Sequence, residues 1–232
     1  MKIIKDIKLK VDEEEVLRYQ GYSRNKIKEP NGVILQINQE EIERGYNLFN
    51  PQGIYYPVKV KEISFIEEKI DFEKNLFLHF NASIINLLKG IDHLVFGIVT
   101  IGNALEEKVS ELFTQGEYSR AIALDAVGTT AVEDLSRYLR NFTCQEAKNQ
   151  NLQVTRHFSP GYSGWDIEEQ KNIFKIVPAQ KIKVSLTDSC MMIPKKSLSW
   201  VIGVGEKIID STKEDDICQT CPAINCQYRK NI

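Results

Sequence analysis

One uninterrupted apolar run constrains the fold of this chain more than any other segment. It extends from Leu94 to Ile101 and is followed directly by Gly102. A strand covered on both faces has this composition, whereas a half-exposed strand alternates apolar and polar residues. We therefore expect a buried central strand with packed layers on both sides of it.

The rest of the chain shows a mixture of helical and extended patterns. Caps and apolar spacing predict helices at 12–19, 38–49, 103–115, 118–141 and 168–176, with Asn38 and Asn103 as N-caps. Extended patterns occupy 55–65, 152–155, 182–186 and 198–204. Because strands and helices do not alternate regularly, the prediction is an α+β fold rather than a doubly wound sheet.

Composition excludes several classes of protein. The 232 residues are 42% hydrophobic and 27% charged, which is enough apolar material for a real core. The net charge of -2 gives no basic excess for nucleic acid. The longest apolar run is far too short to span a membrane, and the segment from Met1 to Lys5 has no apolar signal region. We expect a cytoplasmic protein with no nucleic-acid or membrane partner.

The loop from Arg156 to Trp165 mixes cations, aromatic residues and turn formers. Pro160-Gly161 imposes an irregular backbone, which would leave amides and carbonyls free to meet a ligand. Tyr162 and Trp165 could stack on a planar ring, and Arg156 could hold a carboxylate through paired hydrogen bonds. On composition alone, an ordinary surface turn beside a core aromatic residue is the favoured interpretation.

Several motifs in consistent order change that interpretation. They are Thr100–Glu106, Leu124–Gly128, Ala131–Glu133, Ser159–Tyr162, Leu186–Pro194, Lys196–Ser199 and Gly203–Gly205. Together they resemble the activation domain of cobalamin-dependent methionine synthase, in a stand-alone form, over about residues 94 to 205. The resemblance implies a mainly antiparallel, twisted sheet flanked by helices.

In that family, the loop with the Pro-Gly-Tyr turn binds S-adenosylmethionine. The family's arginine lies five residues before the tyrosine; this position is His157 here, and Arg156 precedes it by one residue. Either Arg156 or His157 therefore serves the ligand carboxylate. The resemblance further implies that Pro160, Gly161 and Tyr162 contact the ligand.

Glu133 matches a family acid that contacts the ligand's ammonium group. The residues alone offer an equal alternative, an exposed helical ion pair with Arg137 four positions on. Asp125 carries the same ambiguity more weakly.

The resemblance implies that a reductant supplies one electron and that S-adenosylmethionine methylates the cob(I)alamin so formed. The chain would then act as a methyltransferase in reactivation. Asp92 and His93 are adjacent, so the Asp-x-His-x-x-Gly cobalamin motif is missing. The cobalamin would arrive on a partner, a cobalamin-dependent methyltransferase or corrinoid protein, and the electron from a donor protein.

Two other functions stay open on the sequence. One is a non-catalytic docking or metal-carrying accessory of a corrinoid protein whose ligand loop has lost its role. The other is a methyltransferase that uses S-adenosylmethionine without any cobalamin protein.

Three cysteines near the end of the chain suggest a metal centre. Cys218, Cys221 and Cys226 offer thiolates at x2 and x4 spacing, and Cys190 or Cys144 could supply a fourth ligand through the fold. Thiolates favour zinc or an iron–sulfur cluster. The alternative is a set of free thiols.

These patterns divide the chain into three parts. Residues 1–92 form an N-terminal α+β extension that packs on the core. Residues 93–210 form the activation-domain-like core with the ligand loop, and residues 211–232 form a cysteine-rich tail.

Overall fold

The structure is a computed structural model that describes residues 1–5, 7–22, 29–162 and 164–208. Strands and helices follow in the order β1 (Lys2–Lys5), α1 (Glu13–Tyr19), α2 (Gly32–Leu48), β2 (Gln52–Lys59), β3 (Glu62–Ser64), β4 (Lys69–Asp71), β5 (Phe77–His79), α3 (Ala82–Leu87), β6 (His93–Thr100), α4 (Ala104–Thr114), α5 (Tyr118–Asn149), β7 (Gln153–Phe158), α6 (Glu169–Ile176), β8 (Ser185–Leu186), β9 (Met192–Ile193) and β10 (Ser197–Gly205).

A five-stranded antiparallel sheet in the order β1-β2-β6-β10-β7 organises the fold. The predicted apolar strand, β6, lies at its centre and pairs along its whole length with both β2 and β10. The predicted α+β class with a mainly antiparallel sheet is confirmed. The predicted N-terminal extension contributes β1 and β2 to this sheet; the three-part division of the chain stays a prediction.

Each face of the sheet buries a separate apolar cluster. The first cluster lies between the sheet and the helices α1, α2, α4 and α5. The second lies between the other face, the small sheet β3-β4-β5 and the helices α3 and α6. In β6, Val95 and Val99 belong to the first cluster, whereas Leu94, Phe96 and Ile98 belong to the second. Both faces of this strand are therefore buried, which explains its continuous apolar composition.

The start of α2 differs from the sequence prediction. The helix begins at Gly32, and the side chain of Asn31 accepts a hydrogen bond from the amide of Ile34. Asn38, predicted as the N-cap, is fully buried inside the helix, where it pairs with Gln20 next to α1. Its polar side chain is satisfied by a tertiary contact, which a local pattern cannot reveal.

The alternating segment 182–186 is also different. Ile182 and Val184 are buried as the alternation suggests. The chain nevertheless passes through a 3₁₀ turn at Ala179–Ile182 and a left-handed residue, Lys183 with φ of 59°. Only Ser185 and Leu186 are extended. A turn that places alternate side chains inward produced the same pattern as a strand.

In the described part of the chain, no helix combines the length and the apolar composition needed to cross a bilayer.

Candidate functional site

The edge strand β7 contains a bulge just before the ligand loop. Its register with β10 pairs His157 with Ile202 but Val154 with Val204, so two residues, Thr155 and Arg156, face one. Such a two-against-one arrangement is a β-bulge, which redirects the side chains around it. The hydroxyl of Thr155 accepts from the amide of Gly203 at 2.9 Å and thereby replaces a lost ladder bond.

The two candidate carboxylate ligands are adjacent in β7, and successive residues of a strand point to opposite faces of the sheet. The partner strand alternates, with Ile202 in the first cluster and Val201 in the second, so His157 faces α5. The guanidinium carbon of Arg156 lies 5.4 Å from the ring centroid of Phe158, which is buried in the second cluster. Arg156 and His157 therefore project from opposite faces of the sheet.

The two side chains also differ in charge. Burial, supported by the positive charges of Arg140 and Arg156, lowers the pKa of His157 to about 3. His157 is thus neutral at physiological pH, whereas a guanidinium is permanently charged. Of the two, only Arg156 offers a fixed positive charge to an anionic ligand group.

The loop after β7 is compact and held by its own hydrogen bonds. The amide of Tyr162 donates to the carbonyl of Ser159 at 3.1 Å. The amide of Gly161 donates to the carbonyl of Trp165 at 2.9 Å. Gly161 has φ of +87°, a conformation that favours glycine. Pro160 is buried. The expectation that this turn leaves its amides free is wrong for Gly161 and Tyr162, because both bond within the loop.

The two aromatic residues of the loop have different environments. Trp165 is only 3% exposed and stacks on Phe80, with ring centroids 4.7 Å apart. Its Nε1 donates to the carbonyl of His79 at 2.7 Å. Trp165 therefore anchors the loop to the small sheet as a core aromatic residue, the interpretation that composition favoured, and does not offer a stacking platform. Tyr162 is 71% exposed and can meet a ligand.

Glu133 lies in the helical layer, exposed on α5. Burial, and then the negative charge of Glu133, raise the pKa of Tyr19 on α1. Arg137, the alternative partner predicted for Glu133, donates to Asp134 at 2.6 Å.

The structure thus brings Arg156, Pro160, Gly161 and Tyr162 together on one segment, while Glu133 lies across the sheet from Arg156.

Distant motifs of the resemblance converge at the end of the central strands. Lys196 Nζ is 2.8 Å from Asp125 Oδ1 and 2.8 Å from Thr129 Oγ1. Ser197 Oγ donates to Thr100 Oγ1 at 2.9 Å. These contacts join the end of β6, the start of β10 and the first turns of α5. Asp125 is therefore paired with a lysine, an ion pair that its spacing along the chain could not indicate.

Other residues of the site had no signal in the sequence. His79 and Phe80 hold Trp165 although they lie far upstream. Glu169, at the start of α6, accepts from the amide of His79 at 3.0 Å. Such supporting residues become visible only once the small sheet is folded against the loop.

The structure describes only one of the four predicted metal ligands. Cys190 is buried in the turn between β8 and β9, with φ of 63°. Among the described residues, no group of three or more His, Cys, Asp or Glu is arranged to hold a metal ion. Cys218, Cys221 and Cys226 lie outside the described residues, so the predicted centre stays a prediction.

Comparison with known proteins places this architecture in a class. The structure is similar to the crystal structure of the MetH reactivation domain bound to AdoHcy, with a TM-score of 0.61. The alignment has 15% identity and covers 91% of this chain and 79% of that one, a likeness that concerns the fold alone. The class is thus that of α+β domains with the fold of this reactivation domain.

The family follows from the sequence comparison. The model for the activation domain of vitamin B12-dependent methionine synthase matches residues 83–208, more than half of the chain. The chain belongs to this family. A comparison with curated proteins found no match.

Proposed function

We propose that this chain binds S-adenosylmethionine through Arg156 and the Ser159–Tyr162 turn and serves the reductive methylation of a partner's cobalamin. One observation supports this most. A permanently charged arginine and an exposed tyrosine flank the turn, and the loop is anchored on the face of the sheet from which Arg156 projects. Family membership and a similar fold that holds AdoHcy point in the same direction.

Arg156 is the proposed ligand of the carboxylate. Its planar guanidinium can donate two parallel hydrogen bonds to a carboxylate, and these bonds are stronger than those between neutral groups. His157 lacks the charge and faces α5 instead. Of the two alternatives that the sequence left open, the proposal therefore selects Arg156.

Tyr162 is proposed to pack its exposed ring against the planar part of the ligand. Bound S-adenosylmethionine would supply an electrophilic methyl group, so the protein's task is to bind the ligand and orient it towards the acceptor. Such a task requires no general base. Glu133 is proposed, independently, to bind the ligand's ammonium group, although it lies in the other layer of the fold.

The proposal also names the acceptor, the source of the electron and the compartment. The acceptor is cobalamin on a cobalamin-dependent methyltransferase or corrinoid protein, and a donor protein supplies the electron that reduces it. The compartment is the cytoplasm.

Titration calorimetry with S-adenosylmethionine tests the proposal. Loss of hydrogen bonds to a charged group costs about 1.5–3 kcal/mol, so Arg156→Ala should weaken binding roughly 10- to 150-fold. His157→Gln is the matched control in the neighbouring position and should change the affinity less than about threefold. Glu133→Gln tests the ammonium contact separately. No binding by the wild-type protein at millimolar ligand would refute the proposed function.

A non-catalytic accessory of a corrinoid protein is the second candidate. The internal hydrogen bonds of Gly161 and Tyr162 favour it, because these amides are already satisfied without a ligand. An accessory would bind the corrinoid protein but would not respond to S-adenosylmethionine. The same calorimetric experiment therefore distinguishes the two functions.

A further inference from the structure

The last described residue, Ile208, is held beside the C-terminal end of α5. Its amide donates to the side-chain oxygen of Gln153, at the start of β7, at 3.0 Å. The residue before Gln153, Leu152, donates its amide to the carbonyl of Ala147 in the last turns of α5 at 2.9 Å. The cysteine-rich tail therefore follows from a point of the fold that is fixed next to this end of the helix.

Cys144 lies close to the same point. It is half-buried on α5, three residues before Ala147, which corresponds to about 5 Å along the helix axis. All three thiols of the tail must meet at one metal, so the first of them, Cys218, limits the reach of the tail. Cys218 follows Ile208 by ten residues, which can span at most about 35 Å. This length leaves ample slack for the tail to return to Cys144.

Cys190 lies in the other layer of the fold. Met192, two residues on, packs against the second cluster, whereas α5 packs against the first. β9 leads into the start of β10, while the tail follows its end, and the nine residues of this strand are about 30 Å long. To reach Cys190, the segment up to Cys218 would have to run almost fully extended. The sheet also separates Cys190 from Cys144, so the two cannot share one centre.

The charges near Cys144 suit a metal held by thiolates. A divalent metal with four thiolates carries a net negative charge, which nearby cations stabilise. Arg140 and Lys148 lie four residues before and after Cys144, on the same face of α5. The neighbouring acid, Glu146, is paired with Lys2. By contrast, the turn that contains Cys190, from Thr187 to Met191, includes an acid and no cation.

We propose that Cys144 is the fourth ligand of a metal centre whose other ligands are Cys218, Cys221 and Cys226. Of the two cysteines that the sequence left open for this position, the fold favours Cys144 over Cys190. Each thiol loses its proton to solvent as the metal binds, and the metal is zinc or an iron–sulfur cluster. The centre joins the tail to the end of α5. This inference does not depend on the binding of S-adenosylmethionine.

Metal titrations of the full chain with matched cysteine variants test this centre. The probes are zinc and cobalt(II), which replaces zinc in thiolate sites and gives thiolate-to-metal charge-transfer absorption. Cys144→Ser should lower this absorption by about a quarter, because three thiolates remain of four. It should weaken zinc binding by at least about 100-fold, since losing a group that merely supports a ligand already costs roughly 10- to 100-fold. Cys190→Ser is the control and should match the wild type within about threefold.

Alkylation of the wild-type protein is a second measurement that does not require a variant to fold. Mass spectrometry should find Cys144 protected from iodoacetamide in protein loaded with zinc, or with iron and sulfide, and reactive once a chelator removes the metal. Whichever metal gives this protection identifies the centre. The inference is overturned if Cys144 reacts equally with and without metal, if Cys144→Ser binds metal as the wild type does, or if the wild type binds none.

Discussion

The indole ring of Trp200 occupies the space that a side chain at Gly97 would need. The two residues are directly paired across β6 and β10. A Cβ built on Gly97 would lie 2.2 Å from Cζ2 of Trp200. Trp200 is almost fully buried in the first cluster, so its ring has little room to move. The glycine within the apolar strand is therefore required by packing.

Gly97→Ala should lower the free energy of unfolding by about 1–3 kcal/mol, the usual cost of overpacking a core. Urea denaturation measures this difference. Gly32→Ala is the control, because a Cβ at Gly32 meets nothing within 4 Å at the start of α2. That variant should be neutral or slightly more stable. A Gly97→Ala protein as stable as the wild type would contradict the packing argument.

Glu41 and Glu40 are neighbours on α2 with opposite environments. Glu41 is fully buried and pairs with Arg120 at 2.7 Å and Arg44 at 3.1 Å, whereas the side chain of Glu40 is 40% exposed. Glu41→Gln leaves two guanidinium groups short of a buried partner and should cost about 1–3 kcal/mol of stability. Glu40→Gln should cost much less, because solvent screens its pair with Arg120. If thermal unfolding showed equal losses of stability in the two variants, the argument that burial makes Glu41 more important than Glu40 would be wrong.

His157 should make stability depend on pH. Its pKa of about 3 in the folded protein lies below the ordinary 6.5, because burial and nearby arginines disfavour the charged form. Between these values the unfolded chain binds a proton that the folded chain does not. Stability therefore falls as the pH decreases below 6.5, by at most about 1.4 kcal/mol per pH unit.

Chemical denaturation at several pH values compares wild type with His157→Gln. The variant should lose part of the pH dependence between pH 7 and 5. Measurements at pH 8, where the histidine is neutral in both states, give the cost of the substitution itself. Parallel curves for the two proteins across this range would count against the assigned pKa.

The predicted cysteine centre can be tested by metal analysis after anaerobic purification. About one equivalent of zinc, or about two to four equivalents of iron with as much sulfide, is expected in the wild type, because clustered thiolates bind soft metals. Replacing Cys218, Cys221 and Cys226 by Ser should abolish it. Cys144→Ser and Cys190→Ser, made separately, should show whether either supplies the fourth ligand. Less than a tenth of an equivalent of any metal in the wild type would rule the centre out.

Features that a single stretch of sequence determines, such as a buried strand or a turn, could be predicted. The apolar run of β6 correctly indicated a strand covered on both faces. The helix expected at 118–141 was also predictable from its spacing, although α5 continues to Asn149. The Pro160–Tyr162 turn was also predictable, because proline and glycine restrict the backbone locally.

Features that depend on a distant partner could not be predicted. The bulge that brings Val154 and His157 to the same face of the sheet is defined by the register against β10 and leaves no local pattern. The small sheet consists of strands of three residues, too short for a clear alternation. The composition of the loop could indicate a core aromatic residue beside a surface turn, but it could not indicate that Trp165 stacks on Phe80, a contact that only the tertiary fold creates.

The position of β10 between β6 and β7 has a consequence for the order in which the sheet can form during synthesis. Thr100 at the end of β6 pairs with Ser197 at the start of β10, and β7 has its described pairing with the same strand. On the ribosome, β6 must wait on the order of ten seconds and β7 about two to eight seconds for β10 to emerge. During that interval both strands present unpaired edges that can associate with other nascent chains. Deleting β10 would make this vulnerable state permanent and favour aggregation over folding.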